Sequence, residues 1–452
     1  MGSVTQKKQP STLIVLLRTS FPAAIDLAIQ PVLWAYEAVW IAQLGFASFC
    51  GYGLALNVIL VVFTVLLTFV VGSSVIINWH LGRGDSWNAN HILGQSVMLA
   101  AIMAVIFSAS FYFGAPFLFK IIKEAAEPAA QLAGVQYLRT LSYFLPLIVI
   151  NFVAIGIVRG VGDTHYSMMI NLIVAGINFL LAPMLIFGTL WLPKLEVAGA
   201  AVAVGIAQSV GLVMTIVLLR SRKCKLYLSV MEMTTPKWES IKLLFKKGLP
   251  TTAEQLSWTL GMFFVSLWVA RLGLVWFGTH QILLRVQGIM SMIYQGFGLS
   301  AMALVGKKIG ADEISLAEKA GKQAGGIIFL LVLLMVILLT GFSDLILRIF
   351  TDDPVVLQYG SLVIRIFALV QIPKALNTVL TGNLRGAGEL KFLMWNTLIA
   401  VLIFEISASA AVIFIFSLKL NAVWIVHGFD ETARLFVNFF RFRNGKWKLQ
   451  NV

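Results

Sequence analysis

The sequence predicts an all-α integral membrane protein, with twelve transmembrane helices in two homologous six-helix lobes around a central cleft. Three observations carry that expectation. Of 452 residues, 59% are hydrophobic and 12% charged, against roughly 25% charged in an average soluble domain. Apolar runs long enough to cross a bilayer, about 20 residues each, recur twelve times, centred near residues 30, 65, 103, 146, 178, 208, 260, 292, 332, 368, 405 and 430. The chain also repeats itself: Pro22 returns as Pro250, Leu44-Gly45 as Leu272-Gly273 and Gly82 as Gly310, each 228 residues on, and Arg159-Gly-Val-Gly-Asp as Arg385-Gly-Ala-Gly-Glu, 226 on. Six spans per repeat is an even number, so both halves enter the membrane from the same side, related by an axis along its normal.

Span one carries Arg18 and Asp26, and no convincing cleavage site follows it, so it reads as a retained span and not a signal peptide. Asp26, Gln30 and Glu37 fall within about 40° of one another at 100° per residue and form one polar stripe on an apolar helix. Intramembrane carboxylates are expensive and mark function by default; for Asp26 the alternative is snorkelling to the interface. Pro22 and Pro31 interrupt the same helix, and Pro31 predicts a bend where one internal hydrogen bond is lost. After span four, Arg159-Gly-Val-Gly-Asp-Thr reads as a tight turn and not a phosphate loop, because it follows a span instead of a strand. In span five Asn171 and Asn178 share a face, a spacing that also suits interhelical glue.

The second lobe repeats the device with variation. Glu254 stands four residues after Pro250, as Asp26 does after Pro22, and Gln255 and Trp258 continue that face. Trp258 can stack on a flat organic cation or simply pack against lipid or a neighbouring helix. His280 opens span eight as a helix-end residue. Lys374 in span ten and Glu405 in span eleven are further buried charges, functional or paired with each other. The tail Arg441-Phe-Arg-Asn-Gly-Lys-Trp-Lys is expected along the inner headgroups, with Trp447 at the interface. The resulting divisions are 1–220 (first lobe), 221–245 (basic linker), 246–441 (second lobe) and 442–452 (cationic tail).

The net charge of +14 invites a nucleic-acid reading, but its distribution follows topology. Arg220, Arg222, Lys223, Lys225, Lys237, Lys242, Lys246 and Lys247 fill the linker region, Lys7 and Lys8 the N-terminus, and Arg441, Arg443, Lys446 and Lys448 the tail, with Lys307 and Lys308 after span eight. All lie on one side of a twelve-span arrangement, which the positive-inside rule makes cytoplasmic, together with both termini. Cys50 and Cys224 then lie on opposite faces and cannot pair. No two histidines have metal-ligand spacing, no P-loop is present and no nucleophile stands beside a base, so neither ATP hydrolysis nor any other catalysis is expected. No metal or cofactor is expected either.

An internal repeat of this kind is how secondary transporters are built. At this point the residues resemble the multidrug and toxic compound extrusion (MATE) transporters, in a DinF-like or related prokaryotic branch. The matching motifs are Glu37-Ala-Val-Trp-Ile-Ala-Gln-Leu-Gly45, Arg159-Gly-Val-Gly-Asp-Thr164, Gly199-Ala-Ala-Val-Ala203, Ala270-Arg-Leu-Gly273, His280-Gln-Ile282, Val305-Gly-Lys-Lys-Ile-Gly310 and Leu384-Arg-Gly-Ala-Gly388. The resemblance implies export of organic compounds in exchange for inward Na⁺ or H⁺ by rocking of the lobes. It makes Glu37 the first-lobe cation site, usually an aspartate, with Asn178 completing the network and Gln30 lining the substrate cavity. Two departures remove oxygen ligands that a Na⁺ ion would need: Ala182 stands where an aspartate is common, before Pro183, and Val204 where a threonine is common. The second-lobe acid is also displaced, since Trp258 occupies its usual place and Glu254 lies four residues earlier. A lone carboxyl in a low-dielectric span can load and release a proton, so H⁺ is expected over Na⁺.

The expected site therefore comprises Glu37, Asn178 and Asp26 for cation coupling, with Gln30, Asp26, Glu254, Gln255, Trp258, Gln281, Lys374 and Asn377 for the substrate cavity. Pro22, Pro31 and Pro250 serve as hinges. The expected cargo is small organic compounds, cationic or amphipathic. The expected host is the plasma (inner) membrane, with small organic substrates and the lipid bilayer as partners, no nucleic acid, no obligate protein partner and a monomeric protein. The alternative is a flippase for a lipid or lipid-linked substrate, which the excess of acids (Asp26, Glu37, Glu254, Glu405) over Lys374 in the spans disfavours. A non-transporting scaffold ranks last, because buried acids and prolines would serve nothing there.

Overall fold

A computed structural model describes residues 12–121, 128–189, 192–348 and 354–449, and every long element among them is a helix. In chain order these are α1 (Thr12–Ala42), α2 (Phe46–Gly82), α3 (Ser86–Ile121), α4 (Pro128–Gly160), α5 (Thr164–Phe187), α6 (Val197–Arg220), the short α7 (Val230–Thr234), α8 (Trp238–Ala270), α9 (Leu274–Gly310), α10 (Ile314–Gly341), the short α11 (Ser343–Arg348), α12 (Pro354–Gly386), α13 (Leu390–Ala400) and α14 (Leu420–Arg443). α13 continues as π-helix over Val401–Ala408 and Ala411–Ile415. Twelve of these helices are long, at the twelve expected places. Ten are apolar enough to qualify as membrane spans by composition; α8 and α14 are not among them. Lys7 and Lys8, and the end of the tail at 450–452, lie outside the described residues.

The repeat is written into the helix bounds. α2 and α9 each have 37 residues, 228 apart, α4 and α12 each have 33, 226 apart, and α6 and α14 each have 24, 223 apart. The turns that follow α4 and α12 are built alike, with Gly162 at φ 83° and Gly388 at φ 84°. That left-handed conformation favours glycine, so the glycine-rich motif makes a tight turn, as expected from the sequence.

The packing forms two units. One comprises Ile25–Leu260 with Gly388–Leu398, here the N-terminal unit; the other comprises Met1–Ala24, Gly261–Ala387 and Ile399–Val452, the C-terminal unit. In the N-terminal unit α4 packs on α2, α3, α5 and α6 around Leu66, Phe69, Leu138, Val149 and Val153. In the C-terminal unit its counterpart α12 packs on α9, α10 and α14 around Phe297, Val332, Phe367 and Trp424. Without water between helices, close backbone approach does much of the holding, and small residues allow it. In the N-terminal unit Gly72 of α2 meets Gly248 of α8, where a Cβ on Gly72 would lie 3.0 Å from the Gly248 Cα. One turn away the Thr68 and Thr252 hydroxyls are hydrogen-bonded. The C-terminal unit repeats this crossing with α9 and the start of α1: a Cβ on Gly296 would lie 2.8 Å from the Ser20 carbonyl oxygen and 2.7 Å from the Ala24 nitrogen.

The tail departs from expectation. Trp447 is buried, donates from Nε1 to the Phe442 carbonyl at 2.7 Å and stacks on the Phe442 ring at 5.1 Å, so it does not lie along a headgroup layer. Gly445, at φ 66°, turns the chain back on α14 and lets the ring cover its own helix end.

The glycine crossing yields a stability prediction. Gly72→Leu forces α2 and α8 apart and should cost about 1–3 kcal/mol, the usual penalty of overpacking, read as a lower thermal unfolding midpoint in detergent. An unchanged midpoint would show that the contact is not close in the membrane protein.

Candidate functional site

The polar stripe of α1 meets a matching stripe on α5. Asp26 and Glu37 are eleven residues apart, as are Ser167 and Asn178, and eleven residues are three helical turns, roughly 16 Å. The two helices therefore meet at two rungs. At the first, Ser167 Oγ donates to Asp26 Oδ2 at 2.6 Å and Asn171 Nδ2 to Asp26 Oδ1 at 2.6 Å, while the Arg159 guanidinium at the end of α4 lies 3.3 Å from Oδ2. Asp26 is 3% exposed, so it does not snorkel; it is a buried, ion-paired carboxylate. At the second rung, Asn178 Nδ2 donates to Glu37 Oε1 at 2.6 Å and Tyr52 of α2 donates to Oε2 at 2.8 Å. Glu37 is fully buried, and no Lys, Arg or His contacts it among the described residues. The ring of Tyr137 holds that of Tyr52 edge-on at 5.1 Å.

Between α1, α4, α5 and α6 lies a cavity of about 160 Å³ lined by Asp26, Gln30, Trp34, Asn151, Arg159, Asn171 and Gln208. Asp26 and Gln30 both line it, but it is smaller than the roughly 300–1,000 Å³ of sites for drug-sized ligands. It has room for a few waters. Glu254 does not line it; that side chain is buried on α8, with Gln255 and Trp258 half-buried beside it. Gln281 is half-buried on α9. Helix runs unbroken through Pro22 and Pro31 in α1 and through Pro250 in α8.

The C-terminal unit holds a second polar centre. Lys374 of α12 does not pair directly with Glu405; it lies 3.1 Å from Glu431 Oε1 and 3.3 Å from His427 Nε2. Glu405, in the π segment, pairs with His427 Nδ1. Arg434 pairs with Asp430 and, at 3.0 Å, with Glu431. Asn377 Nδ2 donates to Glu431 Oε2 at 3.0 Å, and Asn438 Nδ2 donates to Asn377 Oδ1 at 2.8 Å. So Lys374 and Asn377 do share a site, built on residues that the sequence reading passed over: His427, Asp430, Glu431, Arg434 and Asn438. Of the two readings open for Lys374 and Glu405, direct pairing is the one that fails, because His427 stands between them. His280 is also no helix-end residue: it is buried, 3.4 Å from Ser266 Oγ through Nε2.

Glu405, His427 and Asp430 offer ligand atoms within 4.8 Å of one another. A divalent cation fits there poorly, because Arg434 already holds Asp430 and Lys374 flanks His427.

A model of the family described as MatE matches residues 22–184 and 250–411, one stretch in each half of the repeat. The chain is 25% identical over 440 residues to the probable multidrug resistance protein NorM of Thermotoga maritima, covering 97% of this chain and 93% of that protein. It is likewise 25% identical to the uncharacterized transporter YisQ of Bacillus subtilis over 98% of this chain and 97% of that one. Among solved structures, one described as the outward-facing conformation of a multidrug resistance MATE family transporter of the MOP superfamily superposes with a TM-score of 0.88 at 21% identity, over 98% of each chain. A MOP superfamily transporter from Pyrococcus furiosus, described as having a binding pocket of reversed polarity, gives 0.87 at 22% over 96% of each. These structural likenesses establish the fold.

The first rung is testable as an ion pair. Arg159→Met leaves a buried, uncompensated Asp26 and should lower stability by about 3 kcal/mol, seen in thermal unfolding, and adding Asp26→Asn should recover most of the loss. Additive losses in the double variant would mean that the pair is not coupled.

Proposed function

The chain belongs to the MatE family, and from that premise we propose that it is a multi-pass membrane antiporter that exports organic compounds, cationic or amphipathic, in exchange for protons. The names of the relatives, multidrug resistance proteins among them, support that cargo class. In this reading two lobes, built on the two halves of the repeat, rock to carry the cargo across. The protein works as a monomer in the plasma (inner) membrane, with both termini in the cytoplasm.

One observation carries the choice of ion. Glu37 is fully buried without a cation partner, and both groups that hold it are ambivalent. A tyrosine hydroxyl both donates and accepts, and an asparagine amide does so by turning over. A protonated Glu37 can therefore donate its one O–H to either of these groups while its other oxygen still accepts. Asn178 Oδ1 has no hydrogen-bond partner, which leaves an acceptor for that proton. Asp26 contrasts with it: its partners include the Arg159 guanidinium, which only donates, and the pair is read as a fixed element of the cavity wall. Ala182 and Val204 supply no oxygen from their side chains, which supports H⁺ over Na⁺. Exchange follows where proton and substrate disfavour each other's binding.

The test is efflux of a fluorescent organic cation from proteoliposomes under an imposed pH gradient, then under a Na⁺ gradient. The wild type should respond to the pH gradient, and Glu37→Gln should lose at least about tenfold in rate, 1.4 kcal/mol or more. Na⁺-driven transport that survives Glu37→Gln would overturn the proposal. No transport under either gradient would bring the lipid-flippase reading forward.

A further inference from the structure

The transport reading leaves the charged centre of the C-terminal unit unused, and the repeat gives it a neutral counterpart for comparison. In the N-terminal unit Asn151 Nδ2 donates to Gln208 Oε1 at 2.8 Å, and Thr215 Oγ1 donates to Asn151 Oδ1 at 2.8 Å. The repeat places Asn377 at the position of Asn151, Glu431 at that of Gln208 and Asn438 at that of Thr215, and the same two bonds recur there at 3.0 Å and 2.8 Å. One hydrogen-bonded frame thus exists in two versions. The C-terminal version adds Lys374 where Ile148 stands, His427 where Val204 stands, Asp430 where Ala207 stands and Arg434 where Gly211 stands.

The charges do not balance without a proton. Glu405, Asp430 and Glu431 are three acids against two permanent cations, Lys374 and Arg434, and all five side chains are buried. Arg434 is taken by Asp430 and Glu431, and Lys374 by Glu431, so the ion-pair partner of Glu405 is His427. The elements around the pair supply no further cation among the described residues: α12 brings Lys374, α14 brings Asp430, Glu431 and Arg434, and α9 brings Tyr294 and a buried His280, whose ring lies 5.6 Å from that of Trp424. On the α8 side Glu405 faces Gly261, where a Cβ would lie 3.3 Å from its own. With His427 neutral the cluster would hold one uncompensated negative charge, which burial strongly disfavours. The backbone points the same way. Glu405 sits in a π-helical stretch in which Ser407 and Ser409 donate to carbonyls five residues back, at 2.8 and 3.3 Å, and such irregularities gather at functional sites.

We propose that Glu405 and His427 form a second proton-binding site, in which one exchangeable proton resides as an imidazolium–carboxylate pair. Its release leaves the cluster one negative charge in excess. The site lies outside the Glu37 rung and does not depend on Glu37 coupling transport.

The test counts protons. Full-length protein in lipid nanodiscs is stepped from alkaline to mildly acidic pH with an indicator dye, and the uptake is compared between variants. Glu405→Gln and His427→Gln should each take up one proton fewer than wild type, and the double variant also one fewer, because the pair shares a single proton. Equal uptake in wild type and both single variants would overturn the proposal, as would a double variant two protons short. Glu37→Gln removes a separate proton, so an empty pair and a failed transport reading give different results. Should the variants misfold, wild type labelled with ¹⁵N-histidine decides. Of its five histidines, one ring should stay doubly protonated after exposed histidines have neutralised; rings that all neutralise together would overturn the proposal.

Discussion

An ionised side chain taken out of water needs a partner within reach, because the penalty of several kcal/mol per ion otherwise exceeds what a helix contact can supply. Much of this structure follows from that constraint. Arg159 comes from the end of α4 to meet Asp26 on α1, and Lys374 on α12 meets Glu431 on α14. Each such pair fixes two helices in register as well as satisfying a charge. Glu37 is the exception that the rest makes visible: its partners are neutral, come from α2 and α5, and can reverse their roles.

The two units use one skeleton to different electrostatic ends. The repeat sets Val265 where α1 has Glu37, and the buried His280 where α2 has Tyr52. The N-terminal unit therefore concentrates its buried ionisable chemistry on α1 and leaves α6 uncharged up to Arg220 at its end, whereas the C-terminal unit concentrates it on α14. Matching helix lengths with mismatched polar content make the halves structurally equivalent and chemically distinct.

Twelve helices were legible in the sequence, ten of them because each is a long, strongly apolar run. The Asp26–Gln30–Glu37 stripe was legible because helical periodicity is arithmetic. The partners of Glu37 were less so: Asn178 followed from a resemblance, while Tyr52 lies on another helix with no local signal. The α14 cluster was missed for a physical reason. Its polar residues lower the hydropathy of the helix, so a search for acids within strongly apolar runs stops short of it. Yet His427, Asp430, Glu431, Arg434 and Asn438 are spaced three, four and seven residues apart, which places them on one face. Lys374 and Glu405 were singled out correctly as buried charges, but their partners depend on which side chain lies between two helices, and sequence spacing carries no such information. Trp447 was misread because a Gly-Lys-Trp-Lys tail looks the same whether it faces lipid or folds back.

The opening turns of α1 carry a consequence for synthesis. Residues 12–24 pack within the C-terminal unit, with Ser20 and Ala24 against Gly296. That glycine leaves the ribosome 272 residues after Ala24 (296 − 24). At about 5–20 residues per second the wait is on the order of tens of seconds. Throughout that interval the first helix is already in the membrane while half of its final surroundings do not yet exist. Its early turns must then be tolerated by lipid or held by the insertion machinery until α9 is made.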